Sequence, residues 1–563
     1  MILIKNGRIV DGTGNPWFYA NIAIEDGKIQ QIGRDLEVKA DEVIDAQGLV
    51  VAPGFVEPHD HSEGYILFNR DAEAFIRQGI TTDIIGLCGM SVFPDKNTYV
   101  EHIEKTMSFA ADSMFYSQKV KEADYDWNSY QEYDKVVMDG GGIACNIVPY
   151  LGLGSILWKV GYREAEREKK LTTEQMEETK KLIRKGLEEG AAGVSISRDY
   201  RPGNHLTHED LIELMKVVNS YHVPYVPHVK GVSTVEGVTE AIETSRQSGA
   251  KLHIAHLQAI PYLSHGNVRQ LPEILGIIDR ARVEGLDVDF DVMQTRGSQA
   301  SVYRADYYLK VFFHFCQVAP EPPKGANTLS KFLENIRDAE FRKEVRKTVL
   351  ENVGRLIPFF APYLQEHTDA TMIYGTGDDN LNMKTLGEIA KTEGVDPQDL
   401  FFDIVFGVSS IIPEGINPYI EFMVISDQQS VEAGYHWLGC PSMDVPPVNA
   451  SPEQMRQWSV YEIMPRYYRV AMERGIRMED AIRKMTSFPA SCLMLYNQGI
   501  IREGMNADIV ILDPEEFRRP SVSFLHATAK PKGMYYVIVN GVLVMDNGKL
   551  TDARPGKLLF RQT

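Results

Sequence analysis

The chain has 563 residues, 44% of them hydrophobic and 24% charged, a globular composition too long for one compact core; a large domain with smaller ones attached is expected. Its 59 Lys+Arg against 78 Asp+Glu give a formal charge of −19, which argues against a nucleic-acid or anionic-membrane surface. The start, "MILIKNGRIVDGTG", turns polar at once and no run of about 18 apolar residues follows, so the expected location is the cytoplasm.

Along residues 1–52, alternating runs such as "ILIKNGRIVDG" and "ANIAIEDGKIQQIG" are broken at Asn6-Gly7, Asp26-Gly27 and Gln47-Gly48, the pattern of short antiparallel strands joined by tight turns. Residues 491–563 repeat it in "ADIVILDP" and "YYVIVNGVLVMDNGKL", so both termini are expected to build one small β-sandwich. Between them, residues 53–490 alternate apolar runs with amphipathic helices: "GFVEPH", "TTDIIGL", "ACNIVPY", "AAGVSIS", "PYVPHV", "KLHIAHL", "DVDFDVM" and "EFMVIS". This is an α/β pattern, and eight such units suit a (β/α)₈ TIM barrel with its chemistry at the carboxyl ends of the strands. Residues 95–138 and 297–370 break the repeat and read as insertions. The second is rich in aromatics (Tyr303, Tyr307, Tyr308, Phe312, Phe313), suited either to closing over a substrate or to a homo-oligomer contact.

His59 and His61, two apart after the first barrel strand, share a face, with Asp60 on the other. His228 in "YVPHVKG" and His256 in "LHIAHLQA" end two further strands, whereas His253, three before His256, faces away by strand alternation and reads as structural. Cys88 in "IIGLCGMS" lies between glycines at the end of the second strand, and Asp427 in "FMVISDQQS" follows the eighth apolar run. The other cysteines, Cys145, Cys316, Cys440 and Cys492, are widely spaced, and an odd total of five does not suggest a disulfide framework. Imidazole, thiolate and carboxylate donors together point to zinc.

These motifs, with "AIRKMTSFPA", "GIIREGMNADIVILD" and "VIVNGVLV", resemble the D-aminoacylase (N-acyl-D-amino-acid deacylase) branch of the metal-dependent amidohydrolases over nearly the whole chain outside the insertions. The resemblance implies a distorted (β/α)₈ barrel with a β-sandwich from both termini, and one or two zinc ions in the barrel mouth. It implies that Cys88, His228 and His256 hold the tighter ion, with Cys88 bridging, that His59 and His61 belong to the weaker position, and that Asp427 is both ligand and general base. The implied reaction is hydrolysis of a C–N amide bond in an N-acyl-D-amino acid by metal-activated water. A cyclic-amide hydrolase of the hydantoinase or dihydroorotase kind, or a non-catalytic metal-binding scaffold, are the alternatives.

The substrate positions depart from the family. Gln258 stands where the family usually has a lysine, Met293 where it has a tyrosine, and "SVEAGYHWLGCP" lacks the arginine that usually follows the eighth-strand aspartate. A buried substrate carboxylate needs a cation, so Arg198, Lys230 and Arg296 are candidate replacements, and Tyr200 is a candidate pocket wall.

Overall fold

The structure, a computed structural model, describes residues 1–106, 111–163, 169–231, 233–257, 270–293, 302–356, 364–365, 368–382, 384–422, 432–444, 455–456, 461–520 and 530–561. Both termini join in one nine-stranded sheet, in which Val50–Pro53 pairs antiparallel with Ile509–Leu512. Asp26-Gly27 and Asn540-Gly541 turn its hairpins with both residues at positive φ (52° and 73°; 48° and 77°), as two-residue turns of matching twist require. Asn6-Gly7, expected to be such a turn, instead lies within the strand Ile2–Ile9, beside an irregularity in its pairing with Phe18–Glu25.

Alternation along the joining strands explains how this sheet attaches to the rest. Val51, Ile509 and Ile511 pack with Ile4, Ile22 and Ile538 in a core of the sheet's own, while Val50, Ala52, Val510 and Leu512 join the core that also surrounds the barrel. No helix among the described residues is long and apolar enough to cross a membrane.

The barrel strands are Phe55–Glu57, Ile80–Ile85, a third broken into Asn146–Pro149 and Leu151–Gly152, Val194–Ser197, Tyr225–His228, Leu252–Ile254, Val288–Met293 and Gly439–Ser442. Each pairs in parallel with the next, the two halves of the third strand serving one neighbour each. The ring closes where the Asp444 amide donates to the His59 carbonyl (2.7 Å) and the Met443 amide donates to Glu57 Oε1 (2.8 Å). Phe55, Ile85, Val194, Ile196, Leu252 and Phe290 share a core with helix residues such as Ile183 and Leu187, whereas Val56, Ile84, Val148 and Val226 pack with Ala490 and Leu493 in a separate cluster that fills the barrel interior. The helix Thr173–Glu188 starts at a reciprocal capping box between Thr172 and Gln175, worth about 1 kcal/mol, and buries Ile183 and Leu187.

The eighth barrel strand corrects the sequence reading. The first two residues of "EFMVIS" belong to Tyr419–Phe422, which pairs antiparallel with Thr371–Tyr374 and Val302–Arg304 in a five-stranded sheet; residues 423–426 lie outside the described residues. The strand beside Val288–Met293 is Gly439–Ser442, whose "GCPS" carries no β-branched run, so pairing and burial placed it where propensity gave no signal.

Helices Lys96–Thr106, Ala111–Glu122 and Tyr130–Asp139 lie between the second and third barrel strands. Trp127, Tyr130 and Tyr133 are fully buried there, and their polar tips donate to the carbonyls of Val92, Tyr150 and Glu63, each at 2.7 Å. Between the seventh and eighth strands, the five-stranded sheet and helices such as Ala305–Val318 and Pro397–Phe406 enclose a core of their own, which continues past residue 370. Tyr308 and Phe312 lie inside that core against Phe401, and Phe313 packs on Phe332. These three rings pack within the insertion's own core.

Candidate metal centre

The carboxyl ends of five barrel strands bring six side chains together. Cys88 Sγ lies 3.4 Å from His59 Nε2, 3.6 Å from His228 Nδ1 and 3.2 Å from His256 Nε2. Asp444, two residues beyond the eighth strand, places Oδ1 3.2 Å from His59 Nε2 and 3.5 Å from His61 Nε2. Two groups result that share Cys88: His59, His61, Cys88 and Asp444 on one side, and Cys88, His228 and His256 on the other. Zn–S and Zn–N bonds of about 2.3 and 2.0 Å at tetrahedral angles would hold S and N about 3.5 Å apart, close to the separations around Cys88.

The backbone is bent to achieve this convergence. Cys88, His256 and Asp444 all adopt positive φ (49°, 30° and 55°), a conformation that costs a non-glycine residue of order 1 kcal/mol or more and clusters at functional sites. Gly89, itself at φ 78°, lets the Cys88 turn press on the fourth strand: a Cβ there would lie 2.9 Å from the Ser197 amide nitrogen.

The electrostatics match the donor set. Burial alone would raise the Cys88 thiol, but the surrounding His256, His59 and His228 hold it well below its ordinary value and favour the thiolate. Burial also opposes charge on His59, yet Asp444, Cys88 and Asp291 lift it well above the usual imidazole range. His228, similarly opposed by burial, is pushed up to about 9 by Asp199 and Cys88. Asp444, despite its burial, is held well below the usual carboxylate range by His256, His59 and His61. Cys88 and Asp444 are thus held in the anionic forms that a divalent ion needs as ligands, and such an ion would take the place of the protons that these anions keep on the imidazoles.

Buried carboxylates stand behind the rings. Asp199 Oδ2 is 3.2 Å from His228 Nε2, while its Oδ1 accepts the Gly231 amide at 2.9 Å. Asp291 Oδ2 lies 3.5 Å from His59 Nδ1, and its Oδ1 accepts the His256 amide at 3.0 Å. Glu57 Oε1 accepts the His59 amide at 3.1 Å as well as that of Met443. Tyr200 packs on His228 with ring centroids 4.8 Å apart, beside the site as its position suggested.

The other expected contacts fare differently. Arg198 turns away: its guanidinium pairs with Glu240 at 2.6 Å and donates to the carbonyls of Gly203 and Leu206, fixing the loop after the fourth strand. Lys230 is half-exposed and reaches Glu236 at 3.3 Å instead of the site. Met293 is fully buried at the end of the seventh strand. Asp427, Gln258 and Arg296 lie outside the described residues.

His253, expected to face away, is instead held between Asp289 and Asp291 inside the barrel. Counting alternation back from His256 fails because His256 has already left strand geometry at φ 30°. Asp444 was missed because "GCPS" does not announce a strand. Asp289 and Asp291 carried a readable signal: two carboxylates at alternate positions of an otherwise apolar barrel strand require buried partners.

Comparison with known proteins finds relatives of similar sequence and fold. The Amidohydrolase family pattern matches residues 378–544. D-aminoacylase of Alcaligenes xylosoxydans xylosoxydans is 23% identical over 565 residues, covering 100% of this chain and 97% of the relative, and N-acyl-D-glutamate deacylase of the same organism is 23% identical over 566 residues, covering 100% and 96%. A solved N-acyl-D-glutamate deacylase from Bordetella bronchiseptica, complexed with zinc and a phosphonate mimic of the tetrahedral intermediate, superposes with a TM-score of 0.66 at 19% identity over 99% of each chain, a likeness of fold. The chain is thus similar from end to end to D-aminoacylase and related N-acyl-D-amino-acid deacylases, and it shares the fold of a solved deacylase.

Proposed function

We propose that this protein is a zinc-dependent amidohydrolase that cleaves the amide bond of N-acyl-D-amino acids. The observation that carries this reading is the convergence of Cys88, four histidines and Asp444 at the carboxyl ends of the barrel strands. Cys88, His228 and His256 would hold the tighter ion, with His59, His61 and Asp444 completing a second position through the shared thiolate. The ion would supply Lewis acidity, lowering the pKa of water from about 16 towards 7 and polarising the scissile carbonyl.

The protein's own groups do the rest. Asp444, kept ionised by the imidazoles around it, accepts the proton of the attacking water and returns it to the leaving nitrogen. Asp199 hydrogen-bonds the ring of His228, the Asp291 carboxylate stands behind that of His59, and Tyr200 walls the site on the His228 side. Asp444 thereby takes the role that the sequence alone assigned to Asp427; its place after the eighth barrel strand and its contacts with two histidines support this.

Cyclic-amide hydrolysis is the competing reaction, favoured by one observation: Arg198 and Lys230, two of the candidate cations for a substrate carboxylate, are engaged elsewhere. Turnover of N-acetyl-D-amino acids, their L-enantiomers, hydantoins and dihydropyrimidines by zinc-loaded protein separates the two. Activity confined to cyclic substrates overturns the deacylase reading, and no activity in any zinc-loaded preparation favours the scaffold. We also read the terminal sheet as closing on itself in a sandwich, because Ile4 and Ile22 from one end share a core with Ile509 and Ile538 from the other. A cytoplasmic location and self-association complete the proposal.

A further inference from the structure

We propose that Asp291, braced by His253, is a positioning residue for the metal centre, so that zinc affinity depends on a buried chain of side chains running down the barrel away from the ion; this rests on the metal-centre reading above. Asp289 and Asp291 are two apart on the seventh strand and face the same way, and His253 on the sixth strand is in register with Asp289. His253 Nδ1 lies 2.5 Å from Asp289 Oδ1 and its Nε2 3.0 Å from Asp291 Oδ2. From Asp291 the chain reaches His59 Nδ1 at 3.5 Å and the His256 amide at 3.0 Å. From Asp289 it runs the other way, Oδ2 accepting from Lys251 Nζ at 2.8 Å. Lys251 borders a cavity of about 1060 Å³ at the amino-terminal ends of the strands, opposite the metal centre.

Each link has a physical task. His59 presents Nε2 to Cys88 and Asp444, so Nδ1 must carry a proton when a metal is bound, and the Asp291 carboxylate 3.5 Å behind it favours that tautomer electrostatically. The same carboxylate accepts the His256 amide and its carbonyl accepts the Leu257 amide at 2.7 Å, holding the one ligand whose backbone has turned to φ 30°. One side chain therefore sets a ligand from each group. Two buried carboxylates on one strand need cations, and His253, with a nitrogen on each, and Lys251 supply them. His253, Asp289 and Cys492 are also close enough to hold an ion of their own. Such an ion would have to displace Lys251 and share a histidine whose nitrogens both have carboxylate partners, so the network reading accounts for more of the contacts.

The test is zinc affinity, measured by chelator competition on full-length protein stripped of metal and checked for folding by circular dichroism. Asp291→Asn is expected to weaken zinc binding about 10–100-fold and His253→Gln about tenfold. A role in folding alone would lower stability and leave affinity unchanged, and wild-type affinity in either folded variant overturns the proposal. If both interior variants fail to fold, Lys251→Met at the cavity wall decides: a loss of about threefold is expected, and unchanged affinity overturns the chain. Wild-type protein that binds no zinc would refute the metal centre itself, a distinguishable result.

Discussion

Replacing Asp444 by asparagine removes a charge while keeping side-chain shape, and asparagine tolerates the φ of 55° at this position as well as aspartate does. The fold should therefore persist, including the amide of residue 444 that closes the barrel on the His59 carbonyl. The Asp444 carboxylate is buried, 3.2 Å from His59 Nε2 and 3.5 Å from His61 Nε2, so the change removes the only acidic group placed on both histidines among the described residues. Loss of a positioned general base lowers kcat about 10²–10⁴-fold, equivalent to about 3–5 kcal/mol of transition-state stabilisation at 1.36 kcal/mol per decade. The tighter ion should remain, because Cys88, His228 and His256 are untouched. The assay is kcat on an N-acetyl-D-amino acid with zinc content determined by plasma mass spectrometry on the same sample, and Asp427→Asn run in parallel should stay within about threefold of wild type. Full zinc with unchanged kcat in Asp444→Asn, together with a large loss in Asp427→Asn, would refute the assignment of the base.

Three further outcomes are expected. Cys88→Ala should lose zinc at both positions; thermal melts should show that added zinc stabilises wild type, by about 4 kcal/mol at a thousandfold excess over Kd, and leaves the variant unmoved. Gly89→Ala should cost at least about 1–2 kcal/mol in urea unfolding, since the added Cβ meets the Ser197 amide at 2.9 Å and the residue sits at φ 78°, and it should weaken zinc binding through Cys88. Asp508, where the terminal sheet meets the barrel, accepts from the Asn540 amide and Asn146 Nδ2, and burial pushes its carboxyl from 3.8 up to about 6. A raised carboxyl stabilises the fold when protonated, so this contribution is complete below pH 3.8 and fades as pH rises through 6, about 3 kcal/mol in all. Asp508→Asn should therefore gain on wild type between pH 4 and 7 by roughly that amount; a difference independent of pH would show that the carboxyl is not perturbed.

The sequence by itself determined the barrel class, the joining of the two ends and five of the converging side chains. His59, His61, Cys88, His228 and His256 were legible because each follows a strongly apolar run, so local pattern fixed both the strand and the end at which the side chain emerges. Tertiary structure decided what local pattern cannot encode. "EFMVIS" has better strand character than "GCPS", yet its described residues, Glu421 and Phe422, pair inside the insertion while "GCPS" closes the barrel, because membership of a sheet depends on which edge is free to pair. That choice brings Asp444 to the metal centre. Likewise, His253 met Asp289 and Asp291 only when the sixth and seventh strands came into register, and His256 reached Cys88 by leaving strand geometry where a period-two count still assumed it. Local periodicity names the candidate ligands at strand ends; their partners are set by contacts between segments far apart in the chain.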